Sequence, residues 1–363
     1  MVHPKRATLK EAMKGKALGK VVVLPDFFLD RIVKLGSLTK SLSLLREKAA
    51  SGGGVIHRIG QMEVKGGNAV NTAFALGRLG VKTTLITLAD ENTSGFLRQV
   101  FSDLPEVTLR IREGRPGYTV ALELDRRGRR VNIMLGDPGD MSDFGFERLG
   151  REELRAISEA DITSIFNWAA NAKGTQLSAK TFTLAKRKGR MTYCDPSDIT
   201  LRGEEFTEFM THILREGLVD VLSLNENEAR FTAKLLGFKP MPKSYSESDV
   251  IQTAKLLSRE LSTRIDLHTP STSCTVHGAE AYHCPAFKVE QHIATGAGDV
   301  WNAANIVGYL RGFEADQRLT LANACAALFV SNPRGEPPSM GETLRFLSEQ
   351  LRKTEEIHAS FTD

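Results

Sequence analysis

Short apolar runs alternate with segments of helical spacing along most of this chain. The first run, residues 20–24, is rich in β-branched side chains, which indicates a strand buried on both faces. The same pattern predicts strands at 83–88, 161–166, 191–194 and 219–224, and helices at 70–79, 95–101, 177–188, 204–216, 226–236 and 250–261. Repeated β–α units of this kind predict an α/β fold with a mostly parallel sheet covered by helices on both faces.

Three segments depart from this alternation. Residues 56–65 alternate imperfectly between glycine-rich ends, whereas 118–125 and 130–135 alternate better and have Gly128 in the turn between them. We interpret them as a hairpin and a partner strand that form a small antiparallel flap over one edge of the main sheet. The arginine-rich turn at 126–130 is interpreted as a solvated tip, with a clamp for an anionic substrate as the alternative.

Composition narrows the class of protein. The chain has 363 residues, of which 41% are hydrophobic and 25% charged, with a formal net charge of +4. These values are ordinary for a globular protein. Because lysine and arginine are spread along the chain, the charge does not indicate a nucleic-acid partner. No apolar run approaches the roughly 18 residues that a membrane helix needs, so we expect no membrane partner.

Cysteine usage and the termini add to this interpretation. The four cysteines are widely spaced, which argues against a zinc cage or a disulfide framework and favours a reducing cytoplasm. Residues 1–19 form a basic extension that is not followed by an apolar segment, so they do not resemble a signal peptide. We expect one domain over residues 20–355 and a short tail over 356–363.

The segment Gly296-Ala297-Gly298-Asp299 is the strongest candidate for chemistry. Small residues let the backbone turn tightly and approach a ligand, and the apolar helix that follows directs unpaired N–H groups into the turn. Such a turn favours anionic oxygens, above all phosphate. A carboxylate there could take a proton from a hydroxyl group. The alternative is a glycine turn with an ordinary first-turn aspartate.

Other polar residues follow predicted strands, where ligands bind in open α/β sheets. Asp26 and Asp30 follow the first strand and suit sugar hydroxyls, with loop capping as the alternative. Asn225 and Glu228 could hold the water shell of a magnesium ion. Their spacing also fits a helix capping box, and the two roles are compatible.

These residues converge on a family resemblance. Residues 66–80 (GGNAVNTAFALGRLG) resemble the first signature of the ribokinase-like (PfkB) sugar and nucleoside kinases, and residues 296–305 (GAGDVWNAAN) resemble the second. The segment 225–228 (NENE) resembles the Asn-x-x-Glu element between them. The three motifs occur in the expected order over residues 20–350.

The resemblance implies a three-layer αβα fold with a small β lid, over residues 52–66 and 116–136, and phosphoryl transfer from a nucleotide to an alcohol. Asp299 would be the general base, and Gly296, Ala297 and Gly298 would form the anion hole. The acceptor would be a sugar, sugar phosphate, nucleoside or polyol, bound by Asp26, Asp30, Gly66, Gly67 and Asn71. The resemblance places the nucleotide against Asn225, Thr269, Ser271 and Asn323, and Mg²⁺ against Asn225 and Glu228 through water.

Two departures from the family pattern bear on the donor and on cations. Ile293 stands where the family has an acid that helps to hold a monovalent cation. Residues 269–274 (TPSTSC) replace a loop that usually contains glycines, so the donor could be ADP as well as ATP. A protein that binds ligands but has lost turnover is the alternative function. The edge and face of the lid suggest a homodimer.

Overall fold

The computed structural model describes residues 19–127 and 129–359, which form two sheets and the helices around them. The strands are β1 (Lys20–Leu24), β2 (Phe28–Ser37), β3 (Gly60–Gly66), β4 (Lys82–Ala89), β5 (Val107–Glu113), β6 (Gly117–Arg126), β7 (Arg129–Asp137), β8 (Ile162–Phe166), β9 (Met191–Asp195), β10 (Val221–Asn225), β11 (Arg264–His268), β12 (Thr272–His277) and β13 (Glu280–Pro285). The helices are α1 (Leu38–Ala50), α2 (Asn68–Arg78), α3 (Glu91–Val100), α4 (Arg151–Glu159), α5 (Gly174–Arg187), α6 (Gly203–Phe209), α7 (Glu226–Leu235), α8 (Glu247–Leu261), α9 (Ala297–Arg311), α10 (Ala315–Ser331) and α11 (Met340–Ala359).

Nine strands form the main sheet, in the order β13-β12-β11-β10-β9-β8-β1-β4-β5. From β11 to β5 all neighbours are parallel, and β12 and β13 add an antiparallel edge. The predicted mostly parallel sheet is therefore confirmed. Because these strands are parallel, the carboxyl ends of β1, β8, β9, β10 and β11 meet at one edge of the sheet.

Strand β1 shows why the sheet has helices on both faces. Val22 and Leu24 belong to one apolar cluster and Val21 and Val23 to a second one, on the opposite face. The first cluster includes side chains of α4 to α8, and the second includes side chains of α2, α3 and α9 to α11. Alternate residues of a strand point to opposite faces, so a continuous apolar run is needed where both faces are buried. The three-layer αβα prediction is confirmed.

The small sheet has the order β3-β2-β6-β7. The pairs β2/β3 and β6/β7 are antiparallel, as predicted for the lid, and they are joined by a parallel pairing of β2 with β6. Strand β2 and helix α1 were not predicted. The side chains of α1 are at most half-buried, and β2 shifts register between Lys34 and Gly36, which obscures its alternation.

Several predicted boundaries change. The strand expected over 56–65 begins only at Gly60, and the helix expected over 204–216 ends at Phe209 and continues as a π-helical turn, Met210–Leu214. Helix α11 continues to Ala359, into the expected C-terminal tail. Residues 1–18 of the basic extension, Gly128 of the lid turn and residues 360–363 lie outside the described residues. Within the described ranges, none of the helices has both the length and the apolar character required to cross a membrane.

Candidate active site

The candidate site lies beyond the carboxyl edge of the main sheet, where four strand ends meet the start of α9. Asp195 ends β9, Asn225 ends β10 and His268 ends β11, while Asp26 follows β1 by two residues. Gly296 precedes α9 and has φ of 91°, a left-handed conformation that favours glycine. The structure thus places most of the predicted residues at the edge of an α/β sheet where ligands bind.

The turn before α9 leaves only some of the predicted anion-binding N–H groups available. The N–H of Ala297 donates to the carbonyl oxygen of Ala294 at 3.2 Å. Ala297 is therefore already engaged, as is Val300, whose N–H donates to the carbonyl oxygen of Gly296 at 3.2 Å. The N–H groups of Gly298 and Asp299 have no partner within the helix and would be available to an anion. The ideal Cβ position of Gly298 lies 3.2 Å from the His268 ring, so a larger residue would crowd that ring.

Asp299 lies in the first turn of α9 and is buried. Its Oδ1 accepts a hydrogen bond from Asn68 Nδ2 (2.9 Å) and its Oδ2 accepts one from Asn71 Nδ2 (3.0 Å). Burial raises the pKa of Asp299 well above its usual value, and the neighbouring Asp195 and Asp26 raise it further, while Asn71 and Lys65 lower it. A carboxyl with a raised pKa can accept a proton from a hydroxyl group more readily than an ordinary aspartate.

The amide of Asn71 connects Asp299 with a lysine that the sequence analysis did not select. Lys65, the penultimate residue of β3, donates from Nζ to Asn71 Oδ1 at 2.8 Å, and its Nζ lies 4.6 Å from the centre of the Phe74 ring. Burial lowers the pKa of Lys65 to about 8, against the opposing effects of Asp299 and Asp30. A lysine in a half-exposed strand ordinarily faces solvent. The position of Lys65 directly before Gly66-Gly67 was therefore the one feature of the sequence that could have indicated its place in the site.

Asp26 is nearly inaccessible and serves as a cap. Its carboxylate accepts from the N–H groups of Asn68 (2.8 Å) and Ala69 (2.7 Å) at the start of α2, and from Asn167 Nδ2 (2.8 Å). These contacts correspond to the capping alternative, because they satisfy N–H groups that the helix itself leaves unpaired. Gly67, with φ of 93°, lies so close that a Cβ would be 2.7 Å from the Asp26 carbonyl oxygen.

Asp30 lies on β2 and faces the site from the lid. Burial raises the pKa of Asp30 and Asp26 adds to this, whereas a hydrogen bond with Thr119 and the charge of Lys65 lower it. A Cβ on Gly66 would lie 2.2 Å from Asp30 Oδ2, so a larger residue at this position would force the Asp30 carboxylate to move. Asp30, Gly66 and Asn71 therefore come together as predicted.

Asn225 and Glu228 form a capping box at the start of α7. Asn225 accepts from the N–H groups of Asn227 and Glu228, and Glu228 accepts from the backbone N–H (2.8 Å) and Nδ2 (2.7 Å) of Asn225. Burial and the nearby Asp195 raise the pKa of Glu228 well above its usual value. A carboxyl group whose pKa is raised by burial and by a neighbouring carboxyl group suits a divalent cation, which would favour its charged form. Among the described residues, no group of three or more His, Cys, Asp or Glu side chains could hold a metal ion.

The predicted nucleotide residues are only partly assembled. Thr269 Oγ1 accepts hydrogen bonds from the N–H groups of Ser271 (3.3 Å) and Thr272 (3.1 Å). These two N–H groups therefore already have a partner within their own loop. Asn323 is buried and accepts from Trp301 Nε1 (2.9 Å) and Ser273 Oγ (2.8 Å), which ties α10 to α9 and β12. These contacts give Asn323 a structural role.

A model of the pfkB family of carbohydrate kinases matches residues 29–339. The chain belongs to the PfkB family. Among curated relatives, the bifunctional protein HldE of Shewanella piezotolerans is 22% identical over 94% of this chain and 66% of its own length. The ATP-dependent ribose-1-phosphate kinase of Halopiger xanaduensis is 24% identical over 88% of this chain and 99% of its own length. The chain spans 53–66% of the length of the HldE relatives that it matches.

Solved structures show the same ribokinase-like fold. Ribokinase of Arabidopsis thaliana, complexed with ribose and ATP, has a TM-score of 0.70 at 19% identity, covering 92% of this chain and 99% of its own. Ribokinase of Thermotoga maritima has a TM-score of 0.68 at 21% identity, covering 92% and 100%. The PfkB family comprises phosphotransferases that act on hydroxyl acceptors, which agrees with the sequence prediction.

Proposed function

We propose that this PfkB-family protein transfers the terminal phosphoryl group of ATP to a hydroxyl group of a sugar or sugar phosphate, with Asp299 as general base. The observation that carries the proposal is the buried Asp299 carboxylate, held by Asn68 and Asn71 at the start of α9. A base and an anion-binding turn occupy the same helix start, as phosphoryl transfer to an alcohol requires.

In the proposed reaction, Asp299 takes the proton of the acceptor hydroxyl as its oxygen attacks the γ-phosphorus. The bond from the γ-phosphorus to the bridging oxygen breaks, and ADP leaves with the bond's electrons. The N–H groups of Gly296, which precedes α9, and of Gly298, in its first turn, would stabilise charge on the transferring group. When bound, Mg²⁺ would neutralise phosphate charge, and Asn225 and Glu228 would hold it through water.

The acceptor pocket that we propose is formed by Asp30, Gly66, Gly67 and Asn71, with Asp26 supporting it through the cap on α2. Asp30 offers two acceptor oxygens to neighbouring hydroxyls, and Gly66 leaves room for them. The name of one relative, ribose-1-phosphate kinase, supports a sugar phosphate among the acceptors. Nucleosides and polyols also offer such hydroxyls, so they belong in the test.

ATP is the preferred donor in this proposal. Among the structural neighbours, the Arabidopsis ribokinase holds ATP and a putative ribokinase II of E. coli holds ATP and Mg²⁺. Thr269 and Ser271 would contact the nucleotide through their hydroxyl groups, because their loop lacks glycine. ADP remains in the test as the second donor.

A direct assay tests the proposal. Purified protein is incubated with Mg²⁺, ATP or ADP, and a panel of sugars, sugar phosphates, nucleosides and polyols, and phosphorylated products are detected by mass spectrometry. We expect product with at least one acceptor and its loss in Asp299→Asn. The absence of product from every acceptor, or equal product from Asp299→Asn, would contradict the proposal.

The second candidate is a ligand-binding protein without turnover. The occupied N–H groups around Thr269 favour it, because a loop that satisfies its own donors holds phosphate less tightly. Calorimetry distinguishes the two candidates. Tight binding of an acceptor or nucleotide without product would support the binding protein.

We also propose a homodimer that forms through the lid. The lid sheet carries exposed apolar side chains, namely Met62, Tyr118, Ile133, Met134 and Leu135. Burial of such a surface stabilises association. Light scattering after size exclusion should report about twice the 39.9 kDa chain mass, and a monomer at working concentrations would contradict the dimer.

The compartment that we propose is the cytoplasm. Cys194, Cys274 and Cys325 are buried free thiols. Free thiols of this kind are typical of a reducing compartment. Localisation of a tagged full-length chain would test the assignment.

A further inference from the structure

Lys65 is a half-buried cation beside the proposed base, in a region otherwise rich in carboxylates. Its Nζ donates to Asn71 Oδ1 at 2.8 Å, and Asn71 Nδ2 donates to Asp299 Oδ2 at 3.0 Å. The three side chains form one continuous chain of hydrogen bonds from the lid strand β3, through α2, to α9.

This hydrogen-bond chain has a single favourable direction. The ammonium group of Lys65 has donors only, and the carboxylate of Asp299 has acceptors only. If the Asn71 amide turned by 180°, its NH₂ group would face the ammonium group and its oxygen would face the carboxylate. Both contacts would be repulsive, so Lys65 and Asp299 together determine how the amide is oriented.

The electrostatic surroundings give Lys65 a second effect. Asp30 on β2 and Asp299 on α9 face Lys65, while Asn71 and Phe74 on α2 are its uncharged neighbours. Asp299 is in turn faced by Asp195 at the end of β9 and by Asp26 after β1, and both raise its pKa. Lys65 is the cation that opposes these two carboxylates.

We infer that Lys65 is a positioning residue that orients the Asn71 amide toward Asp299 and keeps the Asp299 carboxylate charged, so that it can act as base. The part of this inference that concerns catalysis rests on the proposed function. Lys65 acts through Asn71 and through its charge, and it need not touch the reacting atoms.

Three substitutions separate the two effects. Lys65→Met removes both the charge and the donor at similar length, Lys65→Gln keeps a donor without charge, and Lys65→Arg keeps both. Lys34→Met is the matched control, because it removes a lysine from the neighbouring lid strand β2 at an exposed position.

The deciding measurement is the titration of the Asp299 carboxyl by ¹³C NMR of protein labelled at aspartate, with the signal assigned by its loss in Asp299→Asn. We expect Asp299 to titrate at higher pH in Lys65→Met and Lys65→Gln than in the wild type. Lys65→Arg and Lys34→Met should resemble the wild type. Equal titration in Lys65→Met and wild type, or an equal shift in Lys34→Met, would overturn the inference.

Kinetics provide the second readout. In Lys65→Met, the acid limb of the kcat–pH profile should move to higher pH, with roughly a tenfold lower rate on that limb. Lys65→Gln should retain more activity than Lys65→Met above the limb, because it keeps a donor for Asn71. The wild type should lose rate above about pH 8, where Lys65 loses its proton, whereas Lys65→Arg should not.

The two hypotheses fail in different ways. If no acceptor gives product with any variant, the proposed function fails, and the titration of Asp299 still decides the inference. If the wild type is active and depends on Asp299 but the acid limb of Lys65→Met is unchanged, the inference fails and the proposed function stands.

Discussion

Asp299→Asn is the substitution that most directly tests the proposed chemistry, because the fold can accommodate it. The asparagine would keep one carbonyl oxygen for Asn71 Nδ2 and present an NH₂ group to Asn68, which now donates to Oδ1 at 2.9 Å. Asn68 can turn its amide and accept from the new NH₂ group. The hydrogen bonds around position 299 would therefore survive, while the group that accepts the proton is lost.

The expected loss follows from what is removed. A positioned general base contributes about 10²- to 10⁴-fold to the rate, and each factor of ten corresponds to about 1.36 kcal/mol, so the barrier should rise by roughly 2.7–5.4 kcal/mol. Because Asp299 acts in the transition state, kcat should fall by this factor while KM for acceptor and nucleotide changes little.

The thermal stability of Asp299→Asn should rise, although its kcat should fall. Burial raises the pKa of Asp299, so the folded state binds its proton more tightly than the unfolded state does. Stability is then highest below the ordinary aspartate range and falls as the pH rises toward the raised pKa. Asparagine has no carboxyl group to ionise, so Asp299→Asn should not lose stability as the pH rises. Its Tm should exceed that of the wild type at pH 8, and the difference should shrink as the pH is lowered.

Steady-state kinetics and thermal unfolding of the same preparations check both expectations. Asp103→Asn is the matched control, because Asp103 is exposed in the turn after α3 and should change neither quantity. If Asp299→Asn retains more than about a tenth of the wild-type kcat, Asp299 is not the base. A lower Tm at pH 8 would show that the carboxylate stabilises the fold, against the reasoning above.

Three further substitutions test other parts of the structure. Gly66→Ala would place a Cβ 2.2 Å from Asp30 Oδ2, so KM for the acceptor should rise at least tenfold. Gly95→Ala should leave KM unchanged, because a Cβ there meets nothing within 4 Å. Steady-state kinetics check both expectations. Glu228→Gln should raise the Mg²⁺ concentration needed for half-maximal rate severalfold, since it removes a carboxylate from the proposed cation site, and an unchanged Mg²⁺ titration would remove Glu228 from that site. Arg318→Met would leave the Asp266 carboxylate, which lies 2.9 Å from Arg318, buried without its cation. The free energy of unfolding measured in urea should therefore fall by about 3–5 kcal/mol, and a loss below about 1 kcal/mol would contradict this.

The sequence predicted the five adjacent strands β10, β9, β8, β1 and β4 because they are apolar and buried on both faces, whereas β5, β11, β12 and β13 of the same sheet were not predicted. The pattern is weaker where burial is partial. Helix α1 has leucines at helical spacing, yet its side chains remain at least partly exposed, and β2 carries a register shift after Lys34. Both elements belong to the lid, where half-exposed side chains give little periodic signal.

The two family signatures selected residues that lie near each other in the structure. Asn71 of the first signature donates to Asp299 of the second, and Gly66 lies against Asp30, while the catalytic and binding roles of these residues stay predictions. Asn323 shows the limit, since its contacts with Trp301 and Ser273 depend on how α10 packs. Lys65 was missed because its burial results from contacts with two helices. Helix α2 follows it after a turn, and α9 is distant in sequence.

The parallel pairing of β2 with β6 has a consequence for the order in which the protein folds. These strands pair from Phe28 with Gly117 to Ser37 with Asp125, so the pairing closes a loop of about 90 residues. Closing such a loop first is entropically costly. However, β2 directly follows β1 and β6 directly follows β5, and β4 lies between β1 and β5 in the main sheet. Once β1, β4 and β5 have assembled, the two lid strands are already near each other. This topology predicts that the lid strands, with Asp30 and Lys65, take their places only after β1, β4 and β5 have assembled.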